Sequence, residues 1–176
     1  MKNFKLNEKD ILSNQDWTFP TTTYYGPGRF NEIAKFCEEF DIKNPLIVTD
    51  SGSKDLPFIK KLIALLSKNN IKSDLFYNIS PNPRDDEISK GCDQFKNGSH
   101  DSIIAIGGGS AMDGGKSICL TVNSETPLWD FEFEQPVPKI TKENAFPKII
   151  TVPTTAGTGA ETEITAMVTH LEKGMK

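Results

Sequence analysis

Short continuous apolar runs alternate along this chain with segments whose apolar residues recur every three to four positions. From Arg29 to Phe40 the residues Phe30, Ile33, Ala34, Cys37 and Phe40 fall at helical spacing. PLIVTD (45–50) is a continuous apolar run closed by an acid, which suits a buried strand of a parallel sheet. From Asp55 to Asn70, the residues Leu56, Ile59, Ile63 and Leu66 lie on one stripe with lysines around it, an amphipathic helix. The alternation then repeats. Lys72–Tyr77 reads as a strand, PNPRDDE as a turn feeding a helix to about Lys96, and Ser102–Ile106 as a strand again. A glycine-rich loop and a helix from about Ser110 to Val122 follow, and PKIITVPTTAG supplies a fourth strand, with Glu163–His170 as a possible fifth.

Three segments stand outside this rhythm. The first twenty residues hold two isolated aromatics, Trp17 and Phe19, among polar residues, and read as an irregular arm. TTTYYGPG gives a short strand stopped by a Gly-Pro-Gly turn. Residues 123–147, rich in Pro, Glu and aromatics, read as a long surface loop with a partial helix. Strand–helix–strand units of these lengths imply right-handed crossovers, hence an α/β fold with a doubly wound, mainly parallel sheet. One dinucleotide-binding-type domain is expected over residues 1–176. The chain stops at HLEKGMK, directly after an extended segment, which would leave a bare edge strand. Further sequence beyond Lys176 is therefore expected.

Composition narrows the classes. Apolar residues make up 36% and charged residues 25% of the chain, ordinary for a globular protein. The net charge of −4 comes without any run of basic residues, which argues against a nucleic-acid or anionic-membrane partner. The apolar runs are far too short to cross a bilayer, and MKNFKLNEKD lacks the apolar core of a signal peptide. Cys37, Cys92 and Cys119 are odd in number and widely spaced in apolar or helical patterns. They predict small buried thiols in a reduced, cytoplasmic protein.

The chemistry concentrates in SIIAIGGGSAMDGGKS (102–117). A loop at the carboxyl end of a parallel strand, opening a helix, is where phosphates bind in this architecture. Gly107, Gly108 and Gly109 let backbone approach an anion, and the Ser110 hydroxyl can cap the helix or donate to a phosphate. The bland alternative is a tight structural turn. The triphosphate-loop pattern fails, because the residue six before Lys116 is Ser110 where Gly is required, and Lys116 falls near the second helical turn. The pattern G-x-G-x-x-G fails too, since Met112 takes the place of its last glycine.

A third template fits. GGGSAMDGGK resembles the GGGSxxDxxK signature of the iron-containing (group III) alcohol dehydrogenases, related in fold to glycerol dehydrogenase and dehydroquinate synthase. VPTTAGTGAETE (152–163) is similar to the PTTAGTGSE stretch of that family, with Ala160 where Ser is common. YYGPGRFNEI, LIVTD and the PNP of 81–83 match further family segments in order and spacing, so the resemblance covers essentially the whole chain.

The resemblance implies a Rossmann-like, dehydroquinate synthase-like domain that binds NAD(P), with the carboxyl-terminal helical metal domain lying outside this chain. Asp50 would accept hydrogen bonds from the adenosine ribose, and its charge favours NAD over NADP; otherwise it caps the turn before SGS. Asn82 would lie along the adenosine side, or simply serve a turn between prolines. Gly108, Gly109 and Ser110 would cradle the pyrophosphate. Asp113, in the first helical turn, would lie near the nicotinamide ribose, with Lys116 as a structural partner. Thr154, Thr155 and Thr158 would contact phosphates and ribose, with Gly157 and Gly159 bringing that loop close. Lys176 aligns with a family lysine near the cofactor ribose.

The metal of that family, Fe2+ or Zn2+, is held by one Asp and three His on its helical half. The two histidines here, His100 and His170, match none of those ligands and read as surface residues. By resemblance, then, this is the cofactor half of an enzyme exchanging a hydride between an alcohol or aldehyde and nicotinamide, inactive alone and commonly dimeric through its amino-terminal strands. Alternatives are a stand-alone NAD-binding module, a half of a dehydroquinate-synthase- or glycerol-dehydrogenase-like enzyme, and, most distantly, a triphosphate-loop NTPase.

Overall fold

The computed structural model describes residues 15–18, 21–136, 138–139 and 146–174. Four parallel strands form its sheet, in the order β4-β3-β5-β6: β3 (Pro45–Asp50), β4 (Asp74–Ile79), β5 (Ser102–Gly107) and β6 (Lys148–Pro153). Helices α1 (Ile33–Glu39), α2 (Pro57–Lys68), α3 (Asp85–Asn97) and α4 (Gly109–Thr121) connect and cover it. The two central strands read as continuous apolar runs because both of their faces are covered. Alternate residues point to opposite sides. Ile47, Ile104 and Ile106 join Ile33, Cys37, Ile59, Leu62 and Leu66 in one core, while Leu46, Val48, Ile103 and Ala105 join Ile88, Met112 and Ile118 in the other. This is the doubly wound α/β arrangement expected from the alternation.

Four details differ from the sequence expectation. Within the arm, β1 (Gln15–Thr18) pairs antiparallel with β2 (Thr22–Tyr25), so a hairpin replaces part of the irregular segment. On α2 the inward residues are Ile59, Leu62 and Leu66; Leu56 and Ile63 are exposed, because the helix starts at Pro57 and its sheet-facing stripe lies one step round. Strand β4 runs two residues further than Lys72–Tyr77 suggested, to the buried Ile79. The fifth strand does not form. Thr169 forms an isolated bridge to Arg84, Ile164 is 95% exposed, and the Glu163 and Thr165 carbonyls accept from the Lys116 side chain. The described residues of 123–147 form one short 3-10 turn at Leu128–Phe131.

Three of the glycines serve packing. A Cβ on Gly115 of α4 would lie 2.5 Å from the Ala105 Cβ in the sheet, one on Gly114 2.7 Å from Ile79 Cδ1, and one on Gly91 of α3 2.3 Å from Ile118 Cδ1. Helix α4 therefore lies on the sheet at a distance that only glycine permits, and α3 lies equally close to α4.

Two outcomes follow from this packing. Gly115→Ala lowers the stability by about 1–3 kcal/mol through overpacking, although alanine is the better helix former by ~1 kcal/mol; a urea midpoint that rises instead would show that the contact with Ala105 is not limiting. The thiols give the second. Burial pushes Cys119 up to about 12 and, with the nearby Asp101 charge adding to burial, Cys37 up to about 11. Unfolded thiols ionise near ~8.5, so above that pH the native state binds more protons than the unfolded one and its stability falls. Iodoacetamide at about pH 8 should label Cys37 and Cys119 only after denaturation, as read by mass spectrometry.

Candidate functional site

Parallel strands deliver all their carboxyl ends to one edge, and the expected site residues gather there. Strand β5 ends at Gly107 with φ +146°, where a Cβ would meet Ala111 Cβ at 2.7 Å and the Asp50 carboxylate at 3.1 Å. Only glycine fits that turn. The chain then enters α4 directly, with Gly108 as N-cap and no side chain capping the helix. Its first-turn amides and the positive end of its dipole are thus left uncapped by side chains, an arrangement suited to an anion.

The loop after β6 closes on this helix start. Thr154 N–H donates to the Gly107 carbonyl at 2.8 Å. A Cβ on Gly108 would stand 3.5 Å from Thr155 Oγ1, and one on Gly109 3.4 Å from Thr158 Cγ2. Two glycines therefore face two threonines across a gap that side chains would fill. Gly157 (φ +100°) and Gly159 (φ +70°) give the loop its bends, and Thr154 to Thr158 are exposed along it.

Asp50 is engaged by the turn that follows β3. Its Oδ1 accepts Gly52 N–H (3.0 Å) and Ser53 N–H (2.9 Å), and its Oδ2 accepts Ser53 Oγ–H (2.7 Å). The carboxylate thus caps the SGS turn, and the same Oδ2 stands against Gly107. Three of its roughly four acceptor positions are used. The β3–β4 register slips between Val48 and Asp50, at this strand end. Beneath it, buried Thr49 ties β3 to β5 through Oγ1–H to the Ile106 carbonyl at 2.7 Å.

The Ser110 hydroxyl does not cap α4. It donates to the Pro81 carbonyl at 2.6 Å, drawing the PNP turn, and Asn82 with it, toward the start of α4. That turn is held from below by buried Glu87, whose Oε2 accepts Ser80 N–H (3.1 Å), Ser80 Oγ–H (3.0 Å) and Arg84 N–H (3.1 Å). Asp113 sits one turn deeper than expected, because α4 starts at Gly109 and carries no acid in its first turn. Its Oδ1 lies 3.7 Å from Lys116 Nζ. The Lys116 ammonium donates to the carbonyls of Glu163 (3.2 Å) and Thr165. It is therefore occupied on the flank of α4 rather than at the helix start, the physical reason that GKS here is no triphosphate loop. Lys176 lies outside the described residues.

Neither histidine is a surface residue. The His100 side chain is fully buried, with Nδ1 3.0 Å from the Asn44 carbonyl and Nε2 3.3 Å from Asp74 Oδ2 at the opposite edge of the sheet. His170 stacks on Trp129 (4.6 Å between ring centroids) beside Asp85, whose carboxylate accepts Trp129 Nε1–H at 3.1 Å. This cluster lines a groove of about 630 Å³ between α3 and the 124–129 segment, away from the glycine loop. Among the described residues no three His, Cys, Asp or Glu side chains converge as a metal site, and no helix is long and apolar enough to cross a membrane.

Sequence reasoning did not single out Ser53, Pro81 or Thr49 as supports of the site. Ser53 was legible in principle, because Asp followed by S-G-S is an Asx-turn pattern. Pro81 acts through its backbone and Thr49 through burial, and neither leaves a sequence signal.

Comparison with known proteins agrees with this fold. The profile of the family described as iron-containing alcohol dehydrogenase matches residues 20–176. The chain is 29% identical over 163 residues to a 1,3-propanediol dehydrogenase of Klebsiella pneumoniae, covering 92% of this chain and 41% of that protein. The crystal structure of a 1,3-propanediol oxidoreductase superposes with a TM-score of 0.78 at 29% identity, over 85% of this chain and 38% of the other. A sulfoacetaldehyde reductase from Bifidobacterium kashiwanohense, solved in complex with NAD+, superposes with a TM-score of 0.74 at 27% identity, again over 85% and 38%. This chain thus spans about two-fifths of the length of these relatives. It belongs to the iron-containing alcohol dehydrogenase family and corresponds to the amino-terminal part of its members.

Proposed function

We propose that this chain is the cofactor-binding half of an NAD-dependent, metal-dependent alcohol dehydrogenase that exchanges a hydride between an alcohol or aldehyde and nicotinamide. The observation that carries it is the start of α4: a helix with no side-chain cap, whose Gly108 and Gly109 face Thr155 and Thr158 across a gap that a Cβ would fill. A pyrophosphate fits such a cradle, bound by backbone amides of Gly109 and Ser110 and by the threonine hydroxyls. Asp50 then lies on the ribose side, already oriented by Gly52 and Ser53. Its charge opposes a 2′-phosphate and selects NAD over NADP. Asn82, on the turn drawn in by Ser110, borders the adenosine side; Asp113 and Lys176 complete the ribose contacts. NAD, when bound, supplies the hydride acceptor; this chain binds it, orients it and selects it.

The described residues do not group ligands for Fe2+ or Zn2+. On this reading, activation of the alcohol belongs to residues of the complete enzyme. Exposed Ile164, Met167 and Leu171 favour a half-enzyme over a self-contained NAD-binding module, which would cover such side chains. The unpaired thiols suit a cytoplasmic location, and the hairpin of β1 and β2, outside the main sheet, suits a homodimer.

Calorimetric titration with NAD, NADP and Mg-ATP tests the reading. The chain binds NAD saturably and NADP less well. Gly109→Val fills the gap beside Thr158 and weakens NAD by about tenfold or more. Asp50→Ala weakens NAD and narrows its advantage over NADP. Absence of nucleotide binding by a folded chain, or tight Mg-ATP binding, would sink the proposal. A second outcome is kinetic: the 176-residue chain with NAD, Fe2+ and a primary alcohol forms no NADH at 340 nm, and turnover there would mean that the chain holds a complete catalytic site.

A further inference from the structure

Between β6 and the bridge at Thr169 the described chain forms neither strand nor helix, yet this stretch carries the threonines that face the glycine cradle. Backbone carbonyls outside any ladder need other partners. Here one side chain supplies two. Lys116 Nζ donates to the carbonyls of Glu163 and Thr165, with the Asp113 carboxylate 3.7 Å away on the preceding turn. The Lys116 side chain is 17% exposed and the Asp113 side chain 15%, so water competes little for the ammonium.

The placement links this clamp to the cradle. Lys116 lies seven residues after Gly109, two turns along the same face of α4. Gly109 meets Thr158, and Lys116 meets the far end of the turn that Thr158 opens. Within that turn, Thr162 N–H (3.0 Å) and Glu163 N–H (3.2 Å) donate to the Gly159 carbonyl, and Thr158 Oγ1 accepts Ala160 N–H at 3.4 Å. Ala160 is buried in the core as the second anchor. The segment 158–165 is thus pinned by the buried Ala160, by Thr151 Oγ1–H donating to the Glu161 carbonyl at 3.2 Å and by Lys116, and Thr158 hangs from those points.

We infer that Lys116 is a positioning residue for cofactor binding: its ammonium clamps the 163–165 carbonyls to α4 and so holds Thr158 against Gly109 at the phosphate cradle, without touching the nucleotide. This rests on the proposed NAD site. The clamp needs a long side chain with several donors, and Met keeps the length while losing every donor.

The test compares the wild-type chain with Lys116→Met, Lys116→Arg and Lys116→Gln, each checked for folding by circular dichroism and urea denaturation. NAD affinity is read by calorimetry and amide exchange of residues 158–165 by mass spectrometry. Lys116→Met is expected to lose about tenfold in NAD affinity and to exchange faster over 158–165, with β5 unchanged. Lys116→Arg, which keeps charge and donors, restores both. Thr158→Ala costs affinity in the wild type and almost none added to Lys116→Met, the non-additivity that a shared element produces. If the Met variant does not fold, Lys116→Gln, which is shorter and uncharged, is expected to lose affinity and protection over 158–165 in the same direction, and a folded Lys116→Gln chain that loses neither overturns the inference. A folded Lys116→Met chain with wild-type affinity, or additive losses with Thr158→Ala, overturns the inference. A wild-type chain that binds no NAD overturns the cofactor reading, while faster exchange in Lys116→Met would still support the clamp and unchanged exchange would remove that too.

Discussion

Helix α4 lies on the sheet at glycine distance, and the carboxyl edge of the fold is built around that contact. With Gly115 set against Ala105 and Gly114 against Ile79, the helix axis comes closer than any larger side chain would allow. The close approach fixes where the helix begins. Because α4 begins immediately after β5, Gly107 must adopt a positive φ, and the uncapped first turn of the helix opens at the strand end. A longer or looser connection would carry the amides away from Asp50 and from the threonine loop. The packing glycines and the binding glycines are thus one constraint seen at two places on the same helix.

Around this edge, side chains complete hydrogen bonding that secondary structure leaves open. Asp50 takes the amides of the turn after β3, Glu87 those of the turn after β4, and Lys116 the carbonyls of the segment after β6. Each is a charged group at least partly withdrawn from water and matched by several partners, the condition under which such a group holds geometry rather than costs stability. Thr49 and Ser110 do the same with hydroxyls, tying β3 to β5 and the PNP turn to α4. The loops at the sheet edge are therefore fixed by ionic and hydroxyl contacts from rigid elements, which suits loops that must meet a ligand without a large ordering cost.

The sequence was most legible where one element decides its own structure. The apolar runs Leu46–Val48 and Ile103–Ile106 point to buried strands, and both lie in them. The glycine signature read as a loop at a strand end, and it is one. TTAG, read as the end of the fourth strand, lies beyond β6, which stops at Pro153. The sequence was least legible where distant segments decide. The hairpin partner of β2 was hidden in a polar stretch, since β1 draws its structure from pairing rather than pattern. Residues 163–170 carried strand-like composition, but Pro83 and Lys116 take backbone groups of this stretch instead. His100 looked like a turn residue because burial beneath the α3–β5 turn depends on β3 and β4, fifty-six and twenty-six residues back along the chain by its contacts with Asn44 and Asp74.

What the sequence by itself determined was the class of fold and the chemistry at the strand ends: alternating apolar periods dictate a covered parallel sheet, and glycines at a strand-to-helix junction dictate backbone that can meet an anion. The tertiary structure alone decided which of those residues face one another. Asp50 against Gly107, Thr158 against Gly109 and Lys116 against the Glu163 carbonyl are pairs separated by about fifty residues in each case. Residue types record what a side chain can do, and periodicity records which face it is on. The juxtaposition of separate loops follows from how closely α4 settles on the sheet, a distance set jointly by side chains from four strands and two helices.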